Sequence, residues 1–294
     1  ETYGDFQEEM DLFNRAFCAV MLEGDAKGRV FTFPIPTINI TKDFEWNSPV
    51  VDDFMRITCK YGIPYFANYI NSDLSPEDAV SMCCRLRLDK RELRKRGGGL
   101  FGSNPMTGSI GVYTINLPRI GIEAKGDMET FYKLLDEKIA LVEEQLLHRF
   151  KIQCSKKVYN YPFLMGQGVW IDSEKLDRND SVAEVLKHGT LSVGFIGLAE
   201  TLKALTGKHH GESEESWKLG LEIISHMREK MDEKSRETGL NFTLLATPAE
   251  GLSGRFVRID QKKYGKIPGV TDREYYTNSF HVPVYLSLIH ISEP

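Results

Sequence analysis

The sequence predicts an α/β fold, and three observations predict it. Residues 109–116 and 241–246 have the make-up of strands, the first with Ser109, Gly111 and Tyr113 alternating against Ile110, Val112 and Thr114. Residues 126–151 and 212–238 repeat apolar positions every three to four residues over lengths that only helices reach. Between them, strand-like and helix-like stretches succeed one another along the chain, which is the α/β signature.

Taken in order, residues 3–23 place Phe6, Met10, Phe13, Phe17, Val20 and Met21 at helical spacing with acids between them, and Gly24 to Arg29 makes a turn. Val30 to Ile40 reads as a strand whose Pro34 and Pro36 lack ladder donors, with turn or edge roles favoured over a site role for Thr37 and Asn39. A helix over 49–60 begins near Ser48 and carries Asp52 and Asp53 in its early turns, where the dipole favours acids. Tyr61 to Ile70 follows as a strand entered through a Gly/Pro turn, and 73–78 is turn-rich. Beyond strand 109–116, Phe131, Leu134, Leu135, Ile139, Val142, Leu146 and Leu147 stripe one face of helix 126–151 as a core seam. Residues 159–168 are irregular and aromatic. Ser192 to Leu205 reads as a glycine-dotted helix ending at Gly207, and 212–238 as a helix ending at Gly239. His209 and His210 between them lack an acid or cysteine at ligand spacing, so loop or packing roles are favoured over metal binding. Strand 241–246 then runs into Thr247-Pro-Ala-Glu-Gly-Leu-Ser-Gly254. A small-residue loop that opens a helix offers free N–H groups and the positive dipole end to an anion; a plain connecting turn is the alternative.

With 294 residues, 41% hydrophobic and 27% charged, the chain has ordinary globular composition. A net charge of −5 gives no electrostatic case for nonspecific nucleic-acid binding. No apolar run reaches the roughly 20 residues of a membrane span, so no membrane role and a cytoplasmic location are expected. Five cysteines, at 18, 59, 83, 84 and 154, form no disulfide framework and no Cys-x-x-Cys pair. The adjacent Cys83 and Cys84 are poorly placed for an ordinary bridge, since neighbouring Cα atoms sit only about 3.8 Å apart. They are also poorly spaced as joint zinc ligands. Two readings remain: small buried hydrophobes, or a reactive thiol with a neighbour, beside Gly97-Gly-Gly99 where another backbone can approach closely.

Met82-Cys-Cys-Arg-Leu86, Gly97-Gly-Gly-Leu-Phe-Gly102 and Thr107-Gly-Ser-Ile-Gly-Val112 resemble the large subunit of the anaerobic, class III ribonucleoside-triphosphate reductases. The resemblance extends through Phe31–Asn39, His188–Gly197, Thr206–Ser213, Ala246–Phe256 and Tyr275–Pro283. It implies a ten-stranded α/β barrel with a cysteine finger loop, of which residues 1–285 supply the larger central part. Residues 286–294 depart from the family pattern and read as a sequencing or gene-model artefact.

By resemblance, Cys83 is the thiyl residue at the tip of the finger loop, with Cys84 as the fallback, and Asn104 hydrogen-bonds the ribose or the second reactant, or simply forms a turn with Pro105. Thr247, Pro248, Ala249, Glu250, Gly251, Leu252 and Ser253 resemble the loop that cradles the substrate phosphates. Arg85 stands where the aerobic reductases put a glutamate, which fits the class III pattern with formate as reductant. The family's glycyl radical and four-cysteine zinc site belong to a carboxy-terminal part that these residues do not include, so the chain alone is expected to be inactive. The resemblance further implies a homodimer and an iron–sulfur, S-adenosylmethionine-dependent activase. Rival readings are another glycyl-radical enzyme such as a pyruvate formate-lyase relative, or a non-catalytic nucleotide-binding module.

Overall fold

The computed structural model describes residues 3–31, 33–34, 36–70, 79–81, 87–89 and 108–279. The chain divides into two compact units, Glu1–Arg91 and Glu92–Pro294.

In the first unit, helix α1 (Gln7–Glu23) buries Cys18 and Met21 against Val50, Phe54 and Ile57 of α2 (Pro49–Tyr61). Helix α2 starts where its sequence dictates: the Ser48 hydroxyl accepts from the Val50 N–H at 3.4 Å, and Pro49 fills a first-turn position that needs no donor. It ends at Gly62, whose φ of 70° lies in the left-handed region. Strand β1 (Thr37–Ile40) pairs in parallel with β2 (Tyr65–Asn68). Both are shorter than the predicted 30–40 and 61–70. In β1 the two prolines limit pairing to the segment beyond them, and the Pro36 carbonyl accepts from Tyr65 N–H at 3.0 Å just before the ladder starts. Strands β3 (Ala79–Ser81) and β4 (Arg87–Asp89) pair antiparallel. Cys83, Cys84 and Arg85 fall between these two in sequence and, like Asn104 and residues 286–294, lie outside the described residues.

The second unit is built on three parallel strands in the order β5 (Ser109–Asn116), β6 (Thr190–Ile196), β7 (Asn241–Ala246). Parallel neighbours need crossover connections. Helices α3 (Leu117–Ala124) and α4 (Met128–Cys154) connect β5 to β6, followed by the short α5 (Ala183–Leu186). Helices α6 (Leu198–Thr206) and α7 (Glu214–Thr238) connect β6 to β7, and α8 (Glu250–Tyr264) follows β7. The core lies where the α4 seam, with Phe131, Leu135, Ile139 and Leu146, meets Leu191 and Val193 of β6 and Ile223, Met227 and Met231 of α7. A smaller cluster around Trp170, Val182 and Val185 organises the aromatic stretch, with the Trp170 indole donating to the Val185 carbonyl at 2.8 Å.

The α/β class is borne out, with one element reassigned. Thr190–Ile196 is the central strand rather than the start of a helix over 192–205, and α6 begins only at Leu198. Thr-Leu-Ser-Val-Gly-Phe-Ile does alternate small or polar with apolar residues, but the run is short, and Gly194 and Gly197 punctuate it as they would a helix, so it reads ambiguously. Gly197 makes the strand-to-helix corner at φ 78°, where an added Cβ would fall 2.2 Å from Pro118 Cγ. Helix α3 was also unforeseen. It starts on an Asn116 cap, whose side chain accepts from Arg119 N–H at 3.3 Å.

Candidate functional site

The sheet of the second unit has two unlike faces, because side chains alternate along each strand. Leu191, Val193 and Phe195, with Phe242 and Leu244, face the helices. The opposite face is mostly hydroxyl and amide. There the Asn241 amide donates to Thr190 Oγ1 at 2.9 Å, Ser192 Oγ and Thr243 Oγ1 share a hydrogen bond of 3.0 Å, and Thr114 Oγ1 donates to Thr247 Oγ1 at 3.1 Å. Thr190 and Ser192 are fully buried, and the polar groups of this face pair with one another.

At the carboxyl edge, three strands run directly or almost directly into helices. Ligands of open α/β sheets collect at this edge. Among the described residues, the start of α8 has no side-chain cap. Its cap position is Ala249, which has no capping side chain, and Pro248 has no N–H to offer. The Ser253 N–H reaches the Ala249 carbonyl at 2.8 Å, but the N–H groups of Glu250, Gly251 and Leu252 precede the first intrahelical bond. Among the described residues, an added Cβ at Gly251 would meet nothing within 4 Å.

Two buried carboxylates hold the edge together. Asp260 of α8, fully buried, accepts from Asn116 Nδ2 at 2.8 Å, Arg119 Nε at 2.7 Å and the Tyr276 hydroxyl at 2.8 Å. Burial first, and the Asp260 charge second, push the Tyr276 phenol upward, so it stays a donor. Glu200 of α6 is equally buried and binds the Arg273 guanidinium at 2.5 Å, Thr277 N–H at 3.1 Å and Thr277 Oγ1 at 2.9 Å. The Gly197 N–H donates to the Thr277 carbonyl at 2.7 Å, and Asn278 Nδ2 donates to Ser253 Oγ at 3.1 Å. Residues 273–278 thus strap the starts of α6 and α8 together.

Of the predicted loop, Thr247 to Leu252 lies along the open end of α8, whereas Ser253 is buried in its first turn on Asn278. His209 lies beside Glu212, whose carboxylate accepts from the His209 backbone N–H at 2.8 Å and from Lys203, and His210 packs edge-on against His209. Among the described residues no three His, Cys, Asp or Glu side chains converge as a metal site would. Asp260, Glu200, Asn116 and Thr114 escaped sequence reasoning. For Asp260 a signal existed: Ser253, Val257 and Asp260 are the buried positions of α8, at intervals of four and three, which puts an acid on the inward stripe.

A parallel sheet with one apolar and one hydroxyl-rich face, whose strands run into helices at its carboxyl edge, defines an α/β protein. The chain belongs to the anaerobic ribonucleoside-triphosphate reductase family, whose model matches residues 1–292. It is 41% identical over 179 residues to the anaerobic ribonucleoside-triphosphate reductase of Escherichia coli (strain K12), covering 60% of this chain and 25% of that protein. The Salmonella typhimurium enzyme of the same name gives 42% over 179 residues, with 60% and 25% covered. The chain therefore spans about a quarter of the length of these curated relatives. In fold it is similar to the anaerobic ribonucleotide reductase from Thermotoga maritima in complex with dATP and CTP. That likeness has a TM-score of 0.57 at 20% identity, over 94% of this chain and 42% of that one.

Proposed function

We propose that the full-length protein reduces ribonucleoside triphosphates to deoxyribonucleoside triphosphates. In this reading the described part of the chain supplies the phosphate-binding edge, and residues 1–285 belong to the catalytic barrel. The observation that carries the reading is the uncapped first turn of α8. Three N–H groups without intrahelical acceptors, at the positive end of a 15-residue helix, suit a phosphate chain. The hydroxyl-lined sheet face beside it supports the reading, because it fits a ribose better than an apolar pocket would.

Replacing the 2′-hydroxyl by hydrogen is difficult by polar routes, and a radical at C3′ makes its departure feasible. The Cys83 sulfur takes the 3′ hydrogen and later returns it to the same carbon, with Cys84 as the fallback for this role. Asn104 hydrogen-bonds the ribose or the reductant. The hydroxyl leaves as water, and formate, oxidised to carbon dioxide, supplies the two electrons. The glycyl radical, when present in the carboxy-terminal part, generates the sulfur radical; the structural zinc is assigned to that same part. An activase with S-adenosylmethionine and an iron–sulfur cluster installs the radical. The protein works as a homodimer in the cytoplasm, and the chain by itself is inactive; among the described residues no helix is long and apolar enough to cross a membrane.

The test is anaerobic activation of the full-length protein followed by assay with ribonucleoside triphosphate and formate. Deoxynucleotide formation should vanish in Cys83→Ala and survive in Cys84→Ala. The reverse pattern moves the radical to Cys84. A wild type that forms its glycyl radical yet makes no deoxynucleotide rejects the activity.

A further inference from the structure

We infer that Thr114 is a positioning residue for the anion-binding turn, acting on Thr247 through a gap that Gly194 leaves in the central strand. The inference rests on the phosphate reading of α8 and names what sets that turn in place. In register, Thr114 of β5 lies beside Gly194 of β6, which lies beside Leu245 of β7. Thr247, two residues beyond Leu245, points to the same face. Its Oγ1 accepts from Thr114 Oγ1 at 3.1 Å, across the strand that separates them. Only glycine permits this. A Cβ at position 194 would fall 2.1 Å from Thr247 Oγ1 and 2.9 Å from Thr114 Oγ1, both on short, β-branched side chains with little freedom to yield.

The Thr247 N–H is held as well, donating to the Phe195 carbonyl at 3.0 Å. Thr247 is thus fixed to β6 by its backbone and to β5 by its side chain. Only Pro248 and Ala249 separate it from Glu250, where α8 begins, and Pro248 has a fixed φ. Fixing Thr247 therefore fixes where the three N–H groups that lack intrahelical acceptors point. Preorganised donors bind an anion more tightly than donors that must first be ordered.

The experiment measures binding of a ribonucleoside triphosphate and of the matching nucleoside to the full-length protein, with unfolding midpoints taken for every variant. Thr114→Val should weaken triphosphate binding about three- to tenfold, as expected for losing one ordering hydrogen bond. Nucleoside binding should stay unchanged, and Thr114→Ser, which keeps the hydroxyl, should bind like wild type. Adding Thr114→Val to Thr247→Val should cost nothing further. Gly194→Ala, whose Cβ would displace the Thr247 hydroxyl and crowd that of Thr114, should reproduce the loss. Unchanged triphosphate affinity in a folded Thr114→Val or Gly194→Ala overturns the assignment. Gly251→Asp, which puts an anion at the turn itself, keeps the two claims apart. If it abolishes triphosphate binding while Thr114→Val does not, the phosphate turn stands and the Thr114 role falls. If it changes nothing, the phosphate reading falls first and Thr114 with it.

Discussion

The Arg119 guanidinium meets the Asp260 carboxylate on a single oxygen: Nε donates to Oδ1 at 2.7 Å, and Nη2 lies 2.6 Å from the same atom as an ionic contact poorly aligned for a hydrogen bond. The second oxygen is thereby left to Asn116 and Tyr276, so one buried acid ties β5, α3, α8 and the strap. Removing it should be expensive. Asp260→Ala leaves an amide, a guanidinium and a phenol without their acceptor. The expected loss is about 3–5 kcal/mol, the range for breaking a buried pair from one side. Urea unfolding of the full-length protein checks this, and a loss below about 1 kcal/mol would show that water replaces the carboxylate at no great cost.

His209 and His210 predict an acid-sensitive fold. Burial lowers both below the ordinary value of 6.5; Glu212 opposes the shift at His209, as Glu200 does at His210, while Lys203 and Arg273 add to it at His209. Below about pH 6.5 the unfolded chain takes up protons that the folded chain refuses. Stability is therefore full above that pH and lost as pH falls through the folded-state values. Urea midpoints between pH 8 and pH 5 should decline on the acid side, and less steeply in His209→Gln/His210→Gln. Equal slopes in both proteins would refute the assignment.

The thiols of the first unit should differ in reactivity. Cys18 is fully buried and its thiol is pushed up to about 11, by burial first and by the Asp53 charge second. Cys59 is exposed. Thiolate is the reactive form, so iodoacetamide at pH 8 should modify Cys59 in the folded protein and spare Cys18 until denaturant is added. Peptide mass analysis reads the outcome, and prompt modification of Cys18 would contradict its burial.

Helix α7 should depend on its cap. Ser213 adopts extended backbone geometry and accepts from the Ser216 N–H at 3.2 Å, ahead of Glu214 and Glu215 in the first turn. Ser213→Ala should cost about 1 kcal/mol and Ser213→Asp should cost little, since aspartate caps equally well. Thermal or urea unfolding distinguishes the two, and equal stability of Ser213→Ala and wild type would assign the helix start to packing alone.

The sequence by itself determined the elements whose signals are local. The seam of α4, the length of α7, the Ser48 start of α2 and strands β5 and β7 were legible, because a period of 3.6 or 2 repeats within one element. It also carried the family, through runs spread along nearly the whole chain. Tertiary structure decided the rest. Strand β6 was misread because Gly194 inside it and Gly197 just past it imitate the punctuation of a glycine-dotted helix. Those glycines are explained only by their neighbours, Gly197 by Pro118 and Gly194 by the two threonine hydroxyls. Asp260 and Glu200 look like ordinary helical acids until the strap covers them. The Thr114 and Thr247 hydroxyls meet across 133 residues of chain, and no local period records a contact made only when three strands align.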